Sequence, residues 1–139
     1  MKGFTKGLVI IVIIVHCLFF LLEAILWMRP AVYTILITLL NNPVKLEYPL
    51  QALVLRNLFI NQGFYNFFLV CAGLAGLYLI AKGKQAAGYT LLLFMCFAGA
   101  GAGIVLAFST TAYLLAFLQG VPAAVAFLRL YALSRHVIS

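Results

Sequence analysis

The chain has 139 residues, of which 67% are hydrophobic and 8% are charged, and its formal net charge is +7. Soluble domains are nearly half apolar and about a quarter charged, so a soluble fold of this size is excluded. We expect a single integral membrane domain over residues 1–139. The basic charge indicates topology and attraction to anionic membrane lipids, and it does not favour a nucleic acid partner.

The first apolar run is GLVIIVIIVHCLFFLLEAILW, from Gly7 to Trp27. Helical residues rise about 1.5 Å each, so this run can cross a hydrocarbon core of about 30 Å. Lys2 and Lys6 precede it, as basic residues precede a signal peptide. The run is longer than a signal core of roughly 7–15 residues, however, and no small-residue cleavage site follows. We therefore predict a retained transmembrane helix.

A long connection, Met28–Asn57, separates this span from the next. It contains PAVYTILITLL, which is apolar but too short to cross a bilayer. Pro30, Pro43 and Pro49 each restrict helix continuation around them. We predict an interfacial or re-entrant helix in the first part of the connection, and a second span that begins early, near Leu50.

Three further runs have the length of transmembrane helices: residues 58–81, 86–108 and 112–133. Periodicity alone does not separate such runs from buried strands, but their length favours helices. Four strands could not close a barrel, and an open sheet edge is not tolerated in lipid. The sequence therefore predicts an all-α membrane protein, a bundle of four transmembrane helices.

The placement of Lys and Arg predicts the orientation of this bundle. With both termini in the cytoplasm, six basic residues lie inside and three outside. The inner set is Lys2, Lys6, Lys82, Lys84, Arg129 and Arg135, and the outer set is Arg29, Lys45 and Arg56. We predict a multi-pass protein of a plasma membrane with both ends cytoplasmic.

Two ionisable residues lie within the first span. Glu23 is expected about one turn below the outer surface and His16 near the midplane, and their spacing of seven residues puts them on one helical face. An ionisable group within a span is costly and usually faces a polar interior. A proton-handling pair is one interpretation. The alternatives are a satisfied core histidine, and a glutamate that reaches water or pairs with Arg29 or Arg56.

The second span carries an unusual density of amides in NQGFYN, residues 61–66. Asn57, Asn61 and Tyr65 have i, i+4, i+8 spacing, with Gln62 and Asn66 beside them. The antiparallel arrangement predicts that these residues and Gln119 of the fourth span lie at the depths of Glu23 and His16. Amides within membranes also hold helices together, and that structural interpretation stays open for each asparagine.

The third span contributes AGAGAG, residues 98–103, with the Gly99-x-x-x-Gly103 spacing. This low-bulk surface favours close helix packing, within the bundle or in an oligomer, and a groove for a ligand's tail is the alternative. Cys17, Cys71 and Cys96 all fall in apolar segments. We interpret them as buried small hydrophobes, and we expect no metal site and no cofactor.

The stretches HCLFFLLEAILW, NQGFYN and QGVP resemble the bacterial integral membrane proteins called domain of unknown function family 1304. The resemblance covers most of the chain and implies four spans, with these motifs on the first, second and fourth. It implies no known activity, and the Met28–Asn57 connection looks longer and more apolar than the family's usual loop. The residues matching its pattern are His16, Glu23, Trp27, Asn61, Gln62, Tyr65, Asn66 and Gln119.

Three functions are consistent with these residues. The first is binding of a small amphiphilic or lipid-like molecule through Trp27, Asn61, Gln62, Tyr65, Asn66 and Gln119. The second is an intramembrane isomerase or hydrolase that uses His16 and Glu23 as acid and base. The third is a proton-coupled small-molecule transporter that depends on Glu23. The sequence leaves open whether the protein is an enzyme.

Overall fold

The structure is a computed structural model, and it describes residues 1, 3–41 and 44–138. In this part of the chain every element of regular secondary structure is a helix, and no strand occurs. The helices are α1 (Gly3–Phe20), continued by a π-helical turn (Leu21–Ile25), α2 (Pro30–Leu40), α3 (Tyr48–Ala81), α4 (Gln85–Ser109) and α5 (Tyr113–Ile138).

Among the described residues, four helices are long and apolar enough to cross a membrane: Gly3–Ile25, Tyr48–Ala81, Gln85–Ser109 and Tyr113–Arg135. The prediction of an all-α bundle with four spans is therefore confirmed. The predicted limits of the third and fourth spans differ from the helix ends by a few residues. Cytoplasmic location of the two termini stays a prediction.

The connection between the first two spans folds as a short helix followed by an early start of α3. The predicted helix in PAVYTILITLL is confirmed as α2, whose 11 residues are too few to cross a bilayer. Its position relative to the membrane stays a prediction. The long helix α3 has 34 residues and begins at Tyr48, close to the early start predicted near Leu50. Pro49 lies in the first turn, where the missing N–H costs nothing.

Glycines set the distances at which the long helices cross. A Cβ at Gly63 would lie 2.7 Å from the backbone nitrogen of Ala24, and one at Gly73 would lie 2.7 Å from the Ile13 side chain. These two contacts make α1 and α3 antiparallel neighbours. A Cβ at Gly103 would lie 2.5 Å from Cα of Gly120, so α4 and α5 also approach to backbone distance. Close crossings of this kind are typical of membrane helices, which pack through small residues.

Two apolar clusters occupy opposite ends of the bundle. The larger joins α1, α3, α4 and α5 and includes Val12, Leu92 and Leu130, all at most 1% exposed. The smaller cluster attaches α2 to the end of the bundle where α1 ends and α3 begins. Its buried members are Trp27, Tyr33, Leu36, Ile37 and Ala52.

Trp27 anchors this smaller cluster. Its ring stacks on Phe59 with centroids 3.7 Å apart, and its Nε1 donates a 2.8 Å hydrogen bond to the carbonyl oxygen of Ala52. The side chain is 1% exposed. Because the tryptophan N–H has a partner while the ring is buried, the residue fixes the start of α3 against the end of the first span.

Candidate functional site

Glu23 lies in the π-helical turn that continues α1. The defining bond runs from the N–H of Leu26 to the carbonyl oxygen of Leu21 at 2.8 Å, over five residues instead of four. A π-turn widens a helix locally and re-aims the side chains it contains, and such turns occur frequently at functional sites. Here the wider turn carries the one glutamate of the first span.

Gly63 allows α3 to pass directly over this turn. A side chain at position 63 would lie 2.7 Å from the nitrogen of Ala24 and 3.1 Å from Cβ of Glu23. Backbone atoms cannot move aside as the end of a flexible side chain can. The glycine therefore permits a crossing that brings the following turn of α3, which contains Asn66, to the level of Glu23.

A hydrogen bond joins the two helices at this level. Nδ2 of Asn66 donates to Oε2 of Glu23 at 2.8 Å, and it also lies 3.3 Å from the carbonyl oxygen of Gln62, one turn earlier. Asn66 is 3% exposed. In the described part of the chain, Glu23 has no ion pair with Arg29 or Arg56, and both arginines are exposed.

A cavity of about 480 Å³ lies beside this pair, and we call it the chamber. Its polar lining is Glu23, Gln62, Asn66, Gln119 and Ser109, and the remaining lining is apolar except for backbone. Residues from every helix contribute to the wall, because α2 lies across the end of the bundle and supplies Leu36 and Leu40. The volume of the chamber and its mixed lining are typical of small-molecule sites, which combine apolar walls with a few polar groups.

Gln119 reaches the chamber from α5. Its side chain is 6% exposed, and no described residue gives it a hydrogen-bond partner. Pro122, three residues further, lies inside the helix and removes one backbone hydrogen bond from this turn. The fully buried polar atoms without a partner in the described part of the chain belong to Thr5, His16 and Gln51. The amide of Gln119 is thus not sealed off, and it is available to a molecule in the chamber.

Two other spaces adjoin the chamber and share lining residues with it. At the α2 end it shares Leu58, Phe59 and Ser109 with a recess of about 750 Å³ beside the α4–α5 turn. Between α3 and α4 it shares Gln62, Asn66, Ala102 and Gln119 with a second space of about 350 Å³, which we call the lateral opening. The outer part of the lateral opening is mainly apolar and includes Phe68, Leu69 and Phe94.

The structure brings together only part of the predicted set of polar residues. Glu23, Gln62, Asn66 and Gln119 line the chamber. Asn61 is exposed on the bundle surface, and Tyr65, 60% exposed, borders only the lateral opening. The asparagine that reaches Glu23 is thus Asn66 and not Asn61.

The inward face of α3 explains this difference. Its buried positions over this stretch are Gly63, Asn66, Val70 and Gly73, a spacing of three or four residues. Asn57, Asn61 and Tyr65 also repeat every four residues, but along a different face. Both faces have helical periodicity, so the spacing of the amides did not identify which of them points inward.

His16 and Trp27 lie away from the chamber lining. His16 is fully buried, with Nδ1 2.8 Å from the carbonyl oxygen of Val12 and with Nε2 lacking a partner. Its ring packs on Gly99, where a Cβ would lie 2.8 Å from Cε1 of the imidazole. Trp27 belongs to the smaller apolar cluster and contributes to the chamber through Phe59, on which it stacks.

The glycine face of α4 is occupied within the chain itself. Gly99 meets His16 and Ala123, and Gly103 meets Gly120. Both glycines are buried. An oligomer through this face stays a prediction, and in this chain the face packs α4 against α1 and α5.

Several lining residues were not predicted from the sequence. Ala102, Phe59 and Ser109 carry no signal that separates them from their apolar or small neighbours. Leu36 and Leu40 became wall residues only because α2 folds over the end of the bundle. The three cysteines are free, and Cys71 is exposed where a buried position was predicted. The described residues contain no group of three candidate metal ligands.

Four helices long and apolar enough to cross a membrane, with a cavity between them, are the architecture of a multi-pass helical membrane protein. A sequence model of the family described as "Protein of unknown function (DUF1304)" matches residues 10–131, and the chain belongs to this family. The match includes every residue of the polar chamber lining. No curated protein and no solved structure matches the chain.

Proposed function

We propose that this protein binds a small amphiphilic, lipid-like molecule, with the polar head in the chamber and the tail in the lateral opening. The observation that carries the proposal is that Gln119, a 6% exposed side chain with no described hydrogen-bond partner, lines the same cavity as Glu23. A polar group in hydrocarbon surroundings costs free energy unless it is hydrogen-bonded. A bound head group supplies the missing partner.

The lining is partly polar in the chamber and mainly apolar in the lateral opening, and this difference supports an amphiphile over a fully polar ligand. Glu23, Asn66 and Gln119 lie at the chamber, and Phe68, Leu69 and Phe94 lie where the lateral opening leaves the bundle. A molecule with a polar end and an apolar end matches this sequence of surfaces. The opening lies between two transmembrane helices, so such a molecule would enter from the lipid.

The position of His16 favours binding over acid–base catalysis. A catalytic acid or base must come within hydrogen-bond distance of its substrate. His16 is fully buried against Gly99 and does not line the chamber. Transport through the bundle has no specific support either, because below the chamber Val12, Leu92 and Met95 fill the interior.

The test is photo-cross-linking of purified protein in phosphatidylcholine nanodiscs with an alkyl alcohol that carries a diazirine in its chain. Labelled peptides are expected around the lateral opening, on α3 and α4. Ala102→Leu, which places a larger side chain at the junction of chamber and opening, is expected to lower labelling by about tenfold.

The matched control is Gly101→Leu, at the residue of α4 that directly precedes Ala102. A Cβ at Gly101 has no atom within 4 Å, and the residue lines neither space. Labelling of Gly101→Leu should equal that of the unmodified protein. Equal labelling of both variants, or labelling spread over all lipid-facing helices, would overturn the proposal.

A further inference from the structure

The hydrogen-bonding groups of the chamber are richer in acceptors than in donors. Both N–H groups of Asn66 point at oxygens of the protein, Oε2 of Glu23 and the carbonyl of Gln62. Oε1 of Glu23 and Oδ1 of Asn66 have no described partner. The amides of Gln62 and Gln119 add one acceptor oxygen and one NH₂ group each, and the hydroxyl of Ser109 adds one donor and one acceptor oxygen. A molecule that donates hydrogen bonds therefore satisfies more of this lining than one that only accepts them.

No basic side chain balances the carboxyl group. Every lysine and arginine in the described part of the chain is exposed, and none lines the chamber or the lateral opening. Sites that bind phosphate or carboxylate supply Arg, Lys or several backbone N–H groups. Here the chamber lining offers no cation, and its one carboxyl group, Glu23, accepts hydrogen bonds but cannot neutralise an anionic head group.

We infer that the chamber selects against anionic lipids and takes an amphiphile whose head group donates hydrogen bonds and carries no negative charge. Two chemistries share this property, an uncharged hydroxyl head and an ammonium head. Glu23 is the specificity-determining residue, because it supplies a hydrogen-bond acceptor where a site for anions would need a cation. This inference rests on the proposed binding function and adds the chemical class of the ligand.

The experiment is competition against the diazirine alkyl alcohol in phosphatidylcholine nanodiscs. The competitors are dodecanol, dodecylammonium and dodecyl phosphate, which share one chain and differ in the head group, and each is compared at equal concentration in the bilayer. Dodecanol or dodecylammonium should displace the probe at concentrations about tenfold lower than dodecyl phosphate. Displacement by only one of the first two identifies which head group the chamber takes.

Two variants separate recognition of the head group from the apolar contacts that the dodecyl chain makes with the protein. Glu23→Gln keeps an oxygen that accepts from Asn66 but cannot become a carboxylate that pairs with a cation. Competition by dodecylammonium should therefore weaken relative to dodecanol, while competition by dodecanol stays unchanged. Gln62→Lys places a cation in the lining at an exposed position that tolerates a long side chain. Dodecyl phosphate should then compete about tenfold better than with the unmodified protein.

The outcomes distinguish this inference from the proposed function. If dodecyl phosphate displaces the probe as well as the other two, or if Gln62→Lys leaves phosphate competition unchanged, the head-group inference is wrong while amphiphile binding stands. If no competitor displaces the probe, specific binding itself is refuted. A phosphate disadvantage that disappears in Gln62→Lys supports both.

Discussion

Asn66 and Glu23 form a 2.8 Å hydrogen bond between α3 and the π-helical turn of the first span. The bond lies at the edge of the chamber, and it holds the glutamate where it lines the cavity instead of the bundle surface. Asn66 thereby has a positioning role toward Glu23 and also a stabilising role between two helices. Several measurable consequences follow from this pair and its surroundings.

Asn66→Ala should destabilise the bundle by removing the bond to Glu23. Hydrogen bonds between membrane helices contribute about 0.6–1.7 kcal/mol, and a loss within this range is expected in denaturant unfolding of the protein in detergent micelles. Asn61→Ala is the matched control, because Asn61 is exposed on the same helix. Equal effects of the two substitutions would contradict the assignment of Asn66 to this contact.

Gly63→Ala should cost about 1–3 kcal/mol, since overpacking forces the backbone apart. The added Cβ would lie 2.7 Å from the nitrogen of Ala24, and α3 would have to move away from the π-turn. Gly101→Ala adds the same methyl group where no atom lies within 4 Å, and it should gain up to about 1 kcal/mol of helix propensity. Thermal unfolding in micelles measures both, and a Gly63→Ala variant as stable as Gly101→Ala would refute the close crossing.

Trp27→Phe should loosen the start of α3 without unfolding the bundle. Phenylalanine preserves an aromatic ring against Phe59 but removes the hydrogen bond to Ala52, worth about 1 kcal/mol. Amide hydrogen exchange should rise in residues 48–59 and stay unchanged in α4 and α5. A uniform rise across all helices would show that Trp27 does not act locally.

His16→Leu should leave the stability unchanged or raise it slightly. The carbonyl of Val12 that Nδ1 contacts belongs to the regular α1 hydrogen-bonding pattern, and the buried Nε2 has no partner to lose. Removing an unsatisfied buried polar atom relieves a desolvation cost. Probe labelling in the chamber should match that of the unmodified protein. If a folded His16→Leu variant were no longer labelled, His16 would be required for binding, and its exclusion from the functional site would be wrong.

Cysteine accessibility tests the predicted orientation. In a background without Cys17, Cys71 and Cys96, single cysteines at Lys45 and Lys84 should react with a membrane-impermeant maleimide from opposite sides of the membrane. We expect modification at position 45 in intact cells and at position 84 only after permeabilisation, because the side of the bundle with the excess of Lys and Arg stays in the cytoplasm. The reverse labelling pattern would show that both termini lie outside the cytoplasm.

Much of the fold followed from composition and segment length. Apolar runs of about 20 residues in a chain with 8% charged residues have few stable alternatives to transmembrane helices. The start of α3 was nearly predicted as well, because proline favours the first turn of a helix. Polar residues inside such runs are conspicuous, so Glu23, Gln62, Asn66 and Gln119 could be selected as candidates from the sequence alone.

Only the tertiary structure decided which polar residues meet. Lipid and a helix interface are similarly apolar, so hydrophobic periodicity does not show which side of a membrane helix faces inward. Asn61 and Asn66 were therefore equivalent in the sequence, and the crossing at Gly63 directs Asn66 to Glu23. The π-turn, the placement of α2 over the chamber and the burial of His16 against Gly99 depend on contacts between distant segments. The sequence by itself determined a membrane bundle with polar groups inside its spans, and helix packing determined the chamber.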